Sequence, residues 1–209
     1  PDAVLDKTVD GLIASGFGAA GQRCMAGSVI VTVGEAHDKL MPALREATEK
    51  LRVGDGIQED VDVGPVVSAT ARDRIREWID RGVSEGASLA VDGRDVEGDG
   101  VPADGSYVGP TILDGVKPEM SVAQEEIFGP VLTVINVGTL DEAIEVVNSS
   151  RFGNGVSIFT ESGASVRRFR HEVQVGMVGV NIGVAAPVAF FPFSGWKDSF
   201  LGDLHAHGP

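Results

Sequence analysis

The chain of 209 residues predicts a three-layer α/β/α domain, with helices on both faces of a largely parallel sheet. Two observations carry this reading. Segments with the 3.6-residue spacing of a helix face alternate with short runs rich in β-branched residues, the order expected of β-α units. The runs near Val29, Val131 and Met177 are apolar at successive positions rather than alternate ones, as in strands covered on both faces. With 43% hydrophobic residues the chain has enough apolar material for a sizeable core.

Taken in order, Leu5, Val9, Leu12 and Ile13 share one face of a first helix, and Val29–Val33 follows as a buried strand. Leu40, Leu44, Ala47 and Leu51 mark a second helix, ended by the turn at Gly54, Asp55 and Gly56. Ile75, Trp78, Ile79 and Val83 mark a third, and Leu140, Ala143, Ile144 and Val147 a fourth. Strands are expected at Ser88–Val91, Val131–Val137, residues 156–159 and Met177–Val180. Residues 91–107 are rich in Gly and Asp and lack periodicity, which predicts an exposed loop or hairpin within the domain.

Composition excludes several functions. Acidic residues outnumber basic ones 31 to 17, and the net charge of −14 repels nucleic-acid backbones and anionic membrane surfaces. Residues 176–196 carry no charge over a length that could span a bilayer, but Asn181, Pro187, Pro192 and three glycines break any helix there. That stretch reads as a buried strand followed by an irregular apolar loop. One cysteine forms no internal disulfide, so a reducing cytoplasm is the expected location. The four histidines lack partners at ligand spacing, so no metal site is expected, and neither phosphate-binding glycine fingerprint occurs.

The single cysteine, Cys24, lies in GFGAAGQRCMAGS, residues 16–28. Small residues there allow close approach of backbone and substrate, and Arg23 puts a cation beside the sulfur, which favours the thiolate. From local chemistry alone Cys24 reads equally as a nucleophile and as a small packed residue.

GQRCMAGS resembles the G-Q-x-C segment that carries the nucleophile of aldehyde dehydrogenases. EEIFGPVL, residues 125–132, resembles that superfamily's E-x-F-G-P segment, in the same order along the chain. Arg before the cysteine, together with FSGWKDSFLGDLHAHG at residues 193–208, is similar to the branch that oxidises methylmalonate and malonate semialdehydes with coenzyme A as acyl acceptor. The similarity runs along essentially the whole chain.

The resemblance implies a fold of the aldehyde dehydrogenase type, with the catalytic domain over residues 1–182. Residues 183–209 would be a C-terminal apolar loop and tail leading toward cofactor-binding and oligomerisation parts. Cys24 would attack the aldehyde to give a thiohemiacetal and then a thioacyl enzyme, with its N–H stabilising the oxyanion. Glu126 would hold the nicotinamide ribose of NAD, and Phe128 would pack by the ring. Arg23 would clamp the substrate's second carboxylate, or alternatively tune the thiol or pair with a structural acid. Phe191 and Phe193 would line the substrate or acyl tunnel, or else pack in the core. CoA would take the acyl group, giving propionyl-CoA or acetyl-CoA, and the enzyme would be a homo-oligomer, dimer or tetramer. The chain is expected to be a portion of a longer enzyme, with little or no dehydrogenase activity alone. Two alternatives stand beside this: a hydrolytic aldehyde dehydrogenase with water as acceptor, and an interaction or assembly module with an idle cysteine. A thiolate held by Arg23 and a helix N-terminus should react with alkylators well below the pH at which free cysteine does.

Overall fold

The computed structural model describes residues 1–96, 101–102, 104–203 and 205–208. Its main sheet has four strands: β1 (Val29–Val33), β2 (Ser88–Val91), β3 (Thr111–Asp114) and β4 (Val131–Val137). Their order is β1-β4-β3-β2; β1, β4 and β3 run parallel, and β2 closes the edge antiparallel to β3.

The register shows how the layers form. Ile112 pairs with Leu132, and Leu113 with Thr133, so adjacent residues of β3 and β4 point to opposite faces together. Leu132 packs against Gly16 of helix α1 (Leu5–Phe17), whereas Leu113 packs against Gly82 of helix α3 (Ala69–Ser84). The sheet therefore lies between α1 and α3. Helix α2 (Ala36–Glu49) packs on α1, β1 and β2. The core joins Phe17, Leu44, Ile75, Ile79, Ile112, Leu113, Leu132 and Val134, all almost fully buried.

The four helices read from periodicity are all present. The one near Leu140 is α5 (Leu140–Ser149), and Leu51 falls just past the end of α2. Side chains set their starts: Ser68 accepts the Ala71 N–H at the start of α3, and Thr139 accepts the Glu142 N–H at the start of α5. The short helix α4 (Ser121–Gln124) and helix α6 (Gly163–Glu172) were not expected from the pattern, nor was β3. A second, smaller layer pairs β6 (Gly155–Ile158) in parallel with β7 (Met177–Val180), and Ile144, Phe169, Val173 and Val175 fill the space beside it. The two-residue strands β5 (Phe152–Gly153) and β8 (Trp196–Lys197) pair antiparallel.

One expectation needs correction. Of the three strands expected to be covered on both faces, β4 alone is; β1 and β7 alternate, exposing Val29 at 38% and Val180 at 40%. The reason is position, since β4 has strands on both sides while β1 and β7 lie at sheet edges. The loop after β7 is irregular as expected, and Phe190 within it is 84% exposed. Residues 91–107 do connect the antiparallel pair β2 and β3 in hairpin fashion, although residues 97–100 and 103 lie outside the described residues. No helix among the described residues is long and apolar enough to cross a membrane.

His37, solitary in the sequence, is not so in space. Its Nε2 lies 2.9 Å from Asp114 at the end of β3, tying α2 to the sheet. The hydrogen bond to Asp114 raises the imidazole above its ordinary value, outweighing partial burial. The protonated ring is therefore favoured in the folded chain. Its contribution is complete below the unfolded imidazole value, about 6.5, and fades as pH rises through the higher folded value. Thermal melts of the wild type and His37→Gln across that range should differ most at acid pH and converge at alkaline pH; a constant gap would exclude the ion pair.

Candidate active site

The site is organised where two turns meet back to back. Gly21 ends a tight 3-10 turn, Gly18–Gly21, with φ +66°, and a Cβ there would overlap the carbonyl oxygen of Gly129. Only glycine permits both the left-handed backbone and this approach. Gly129 in turn lies on Ile75 of α3, where a Cβ would come within 2.6 Å of the isoleucine side chain. The 16–28 segment is thereby pressed onto the 125–132 segment, two stretches far apart in sequence.

Between them lies a shallow, open cleft. One wall is Gly21, Arg23 and residues 26–28, and the other is residues 126–129 and Val131. The turn carrying Cys24 borders this cleft through Arg23 and Ala26, and is closed by an Ala26 N–H bond to the Arg23 carbonyl at 3.1 Å. Cys24 is exposed. It lies between the 3-10 turn and β1, and no helix begins there, so the expected helix N-terminus is not part of its surroundings. The Cys24 N–H makes no hydrogen bond among the described residues.

Side chains fix this turn from several directions. Arg23 Nη2 donates to the carbonyls of Ala14 at 2.5 Å and Ser15 at 3.0 Å, in the last turn of α1. There it offsets the negative end of the helix dipole. Its Nε is buried without a partner. Buried Ser15 accepts the Gly27 N–H at 2.9 Å, and Gln22 accepts the Val67 N–H at 3.1 Å. From the other side, Asn154 Nδ2 donates to the Cys24 carbonyl at 2.9 Å and lies 3.1 Å from Met25 Sδ.

The opposite wall contains two adjacent glutamates in different states. Glu125 is bound by Arg151 at 2.7 Å, and that guanidinium also faces Asp198 and stacks over Phe152. Glu126 is exposed on the cleft and has no ion pair among the described residues. Phe128 is 39% exposed and sits at φ +55°, a left-handed conformation rare for an aromatic residue. Arg74 of α3 holds the preceding peptide, donating to the Ile127 carbonyl at 2.6 Å.

The structure thus brings Arg23, Glu126 and Phe128 to one cleft, with Cys24 on the adjoining turn. Phe191 and Phe193 do not line it. Phe193 instead stacks on His207 at 5.5 Å, and Phe191 is largely exposed. Asn154, Arg74 and Arg151 escaped sequence reasoning. No local pattern marks them, because each acts on a segment at least 26 positions away.

Gly21→Ala should cost about 2–4 kcal/mol in urea unfolding, because strain and overlap combine. Gly56→Ala, at an exposed turn with no atom within 4 Å of the added methyl, should stay within about 0.5 kcal/mol. Equal effects at the two sites would show that the Gly21 contact is not a constraint. Arg74→Met should lose about 1–2 kcal/mol, the worth of a charged donor on a carbonyl.

The aldehyde dehydrogenase family model matches residues 1–208. A malonate-semialdehyde dehydrogenase of Halalkalibacterium halodurans is 49% identical over 208 residues, covering 100% of this chain and 42% of the relative. Malonate-semialdehyde dehydrogenase 2 of Bacillus thuringiensis is 52% identical, covering 99% of this chain and 42% of the relative. A crystal structure of methylmalonate-semialdehyde dehydrogenase from Oceanimonas doudoroffii superposes with a TM-score of 0.94 at 44% identity, over 100% of this chain and 43% of that one. A Sinorhizobium meliloti structure described under the same activity, in complex with NAD, gives 0.96 at 44% identity, over 100% of this chain and 42% of that one. The chain therefore spans about two fifths of the relatives it matches. With the two motif segments meeting across Gly21 and Gly129, and the match running from end to end, the chain belongs to the aldehyde dehydrogenase family.

Proposed function

We propose that this chain carries the nucleophile and part of the cofactor grip of an NAD-dependent aldehyde dehydrogenase that oxidises malonate or methylmalonate semialdehyde and transfers the acyl group to CoA. The observation that most supports this is the packing of the Cys24 turn on the Glu126–Phe128 turn through Gly21 and Gly129. The names of the relatives support the substrate class, and the NAD complex of one structural neighbour supports the cofactor. The span of the match supports full turnover by a longer polypeptide; residues 1–182 would be its catalytic domain.

The residues present fit the nicotinamide end of NAD. Arg151 occupies Glu125 and leaves Glu126 free at the cleft, and a carboxylate accepts well from two vicinal hydroxyls. Phe128 offers an exposed ring on the same wall. When bound, NAD supplies the hydride acceptor.

In this reading the Cys24 thiolate adds to the aldehyde carbon, and the carbonyl oxygen takes the negative charge. The unoccupied Cys24 N–H donates to that oxyanion, a preorganised contact worth about 3 kcal/mol. Loss of hydride leaves a thioester on Cys24, and the CoA thiol displaces the cysteine to form the acyl-CoA. The substrate carboxylate, β to the thioester carbonyl, leaves as CO₂; the C–C bonding pair passes into the thioester enolate, whose α-carbon takes up a proton. Arg23 anchors α1 to the cysteine turn through Nη2, while Nη1, which makes no hydrogen bond among the described residues, is the atom to take that carboxylate. Phe191 and Phe193 would border the acyl path; their support is that nearby Trp196 packs on Gly153, next to the Asn154 that holds Cys24.

The acyl half of the cycle can be read without NAD. p-Nitrophenyl propionate should acylate Cys24 and release p-nitrophenolate, and Cys24→Ser should slow this about 100-fold or more. CoA should then speed deacylation about tenfold or more over water, with propionyl-CoA as product. Release of free propionate at the same rate with and without CoA would favour the hydrolytic alternative. Acylation unaffected by Cys24→Ser would end the assignment of the nucleophile.

A further inference from the structure

The Cys24 turn is fastened on both sides of the sulfur-bearing residue, and the second fastening has no role in the reading above. Arg23 ties the residue before the cysteine to the end of α1. Asn154, in the short link between β5 and β6, ties the peptide after it. The amide is placed so that one nitrogen meets two acceptors, the Cys24 carbonyl at 2.9 Å and the Met25 thioether at 3.1 Å. Neither acceptor can donate, so the nitrogen end of the side chain must face them.

The neighbours of Asn154 leave it little freedom. Gly155 makes room for the Met25 methyl, since a Cβ there would come within 2.6 Å of it. Gly153 lies against Trp196 and the Gln174 carbonyl, and its N–H is held by Ser199 Oγ at 3.1 Å. Two glycines and two strand pairs therefore aim one asparagine at one carbonyl. That bond fixes the peptide plane between Cys24 and Met25, and with it the direction of the Cys24 side chain relative to the cleft.

The geometry points to Asn154 as a positioning residue for the Cys24 thiol, an assignment that rests on Cys24 being the nucleophile. It acts through the backbone and touches no reacting atom. Removing the donor frees rotation about the Cα–C bond of Cys24, so the thiol samples several directions while the fold persists. The predicted loss is in orientation, and it is restored by any side chain that returns a donor of similar reach.

Because the chain has one cysteine, cysteine labelled with ¹³C at Cβ gives a single reporter signal. In the wild type that signal should be sharp and distinct from its position in urea-unfolded chain. Asn154→Asp keeps the shape but loses the donor when ionised. It should move the Cys24 signal toward the unfolded position, shift the Met25 methyl signal, and lower the rate of acylation by p-nitrophenyl propionate about fivefold to tenfold. Asn154→His, whose Nδ1 sits as far from the backbone as the asparagine nitrogen and can donate, should recover part of all three effects; circular dichroism should be unchanged in both. Wild-type signals and rate in the Asp variant would overturn the assignment, as would equal loss in Asp and His. Should the Asp variant fail to fold, Asn154→Leu in the same comparison takes its place. Failure of the nucleophile reading looks different: Cys24→Ser would not affect acylation, while the Asn154 variants would still move the Cys24 or Met25 signals.

Discussion

The site depends on a contact between two backbones. A Cβ on Gly21 would overlap the Gly129 carbonyl oxygen, and a Cβ on Gly129 would run into Ile75, so neither position takes a side chain. A side-chain contact could adjust by changing rotamer, whereas this one fixes main chain against main chain. It is also stacked within the layers: Gly129 rests on Ile75 of α3, and Gly16 of α1 rests on Leu132 of β4, just beyond the second turn. The two helices that cover opposite faces of the sheet thus also set the distance between the turns that carry Cys24 and Glu126. The hydrophobic core and the site share one set of constraints.

Charge is distributed to the same end. In a chain of net −14, three of the twelve arginines hold this region. Arg23 caps the end of α1, Arg74 holds the Ile127 carbonyl, and Arg151 neutralises Glu125 and reaches Asp198. Each takes up an acceptor close to a proposed functional group without taking up the group itself. Glu126, one residue from a paired glutamate, remains free to accept hydrogen bonds. The arrangement is selective because Arg151 comes from the strand region beside β8, and so reaches the motif from one side only.

Much of this was legible in the sequence, and what was missed has physical causes. Leu5, Val9, Leu12 and Ile13 announce α1 because a helix covering a sheet must repeat its apolar face. Helix α6 gives no such signal, since Phe169 is its only buried residue and, apart from Gly163, Ala164 and Val166, the rest is polar or charged. β3 follows directly on the aperiodic Gly- and Asp-rich stretch with Pro110 just before it, and its burial comes from lying between β2 and β4. The even burial expected of β1 and β7 failed because composition records apolar content but not position within a sheet. At the site, Cys24, Glu126 and Phe128 were legible through the resemblance of two motif segments. Asn154 was not, because its partner is 130 positions away and the link that aims it is held by two-residue strands. His37 belongs to the same class: its isolation in the sequence said nothing about Asp114 across the fold.

Backbone strain follows the same division between core and site. Among the described residues, five non-glycine positions adopt positive φ: Ala19, Ala20, Phe128, Asn181 and Lys197. Each costs about 1 kcal/mol or more relative to an ordinary conformation, so each must be held by its surroundings. Asn181 exchanges two hydrogen bonds with Thr160, and Lys197 places its ammonium on the carbonyls of Asn148 and Ser150. Those two are stabilised by their own side chains. Ala19, Ala20 and Phe128 cannot be, because their side chains form no hydrogen bonds. They depend on neighbours: the Gln22 N–H on the Ala19 carbonyl, and Arg74 on the peptide before Phe128. The residues whose strain is held from outside are those on the two turns that form the cleft. Loosening a holder should therefore disturb the cleft before the core, which is why positioning residues are the informative sites for mutation in this fold.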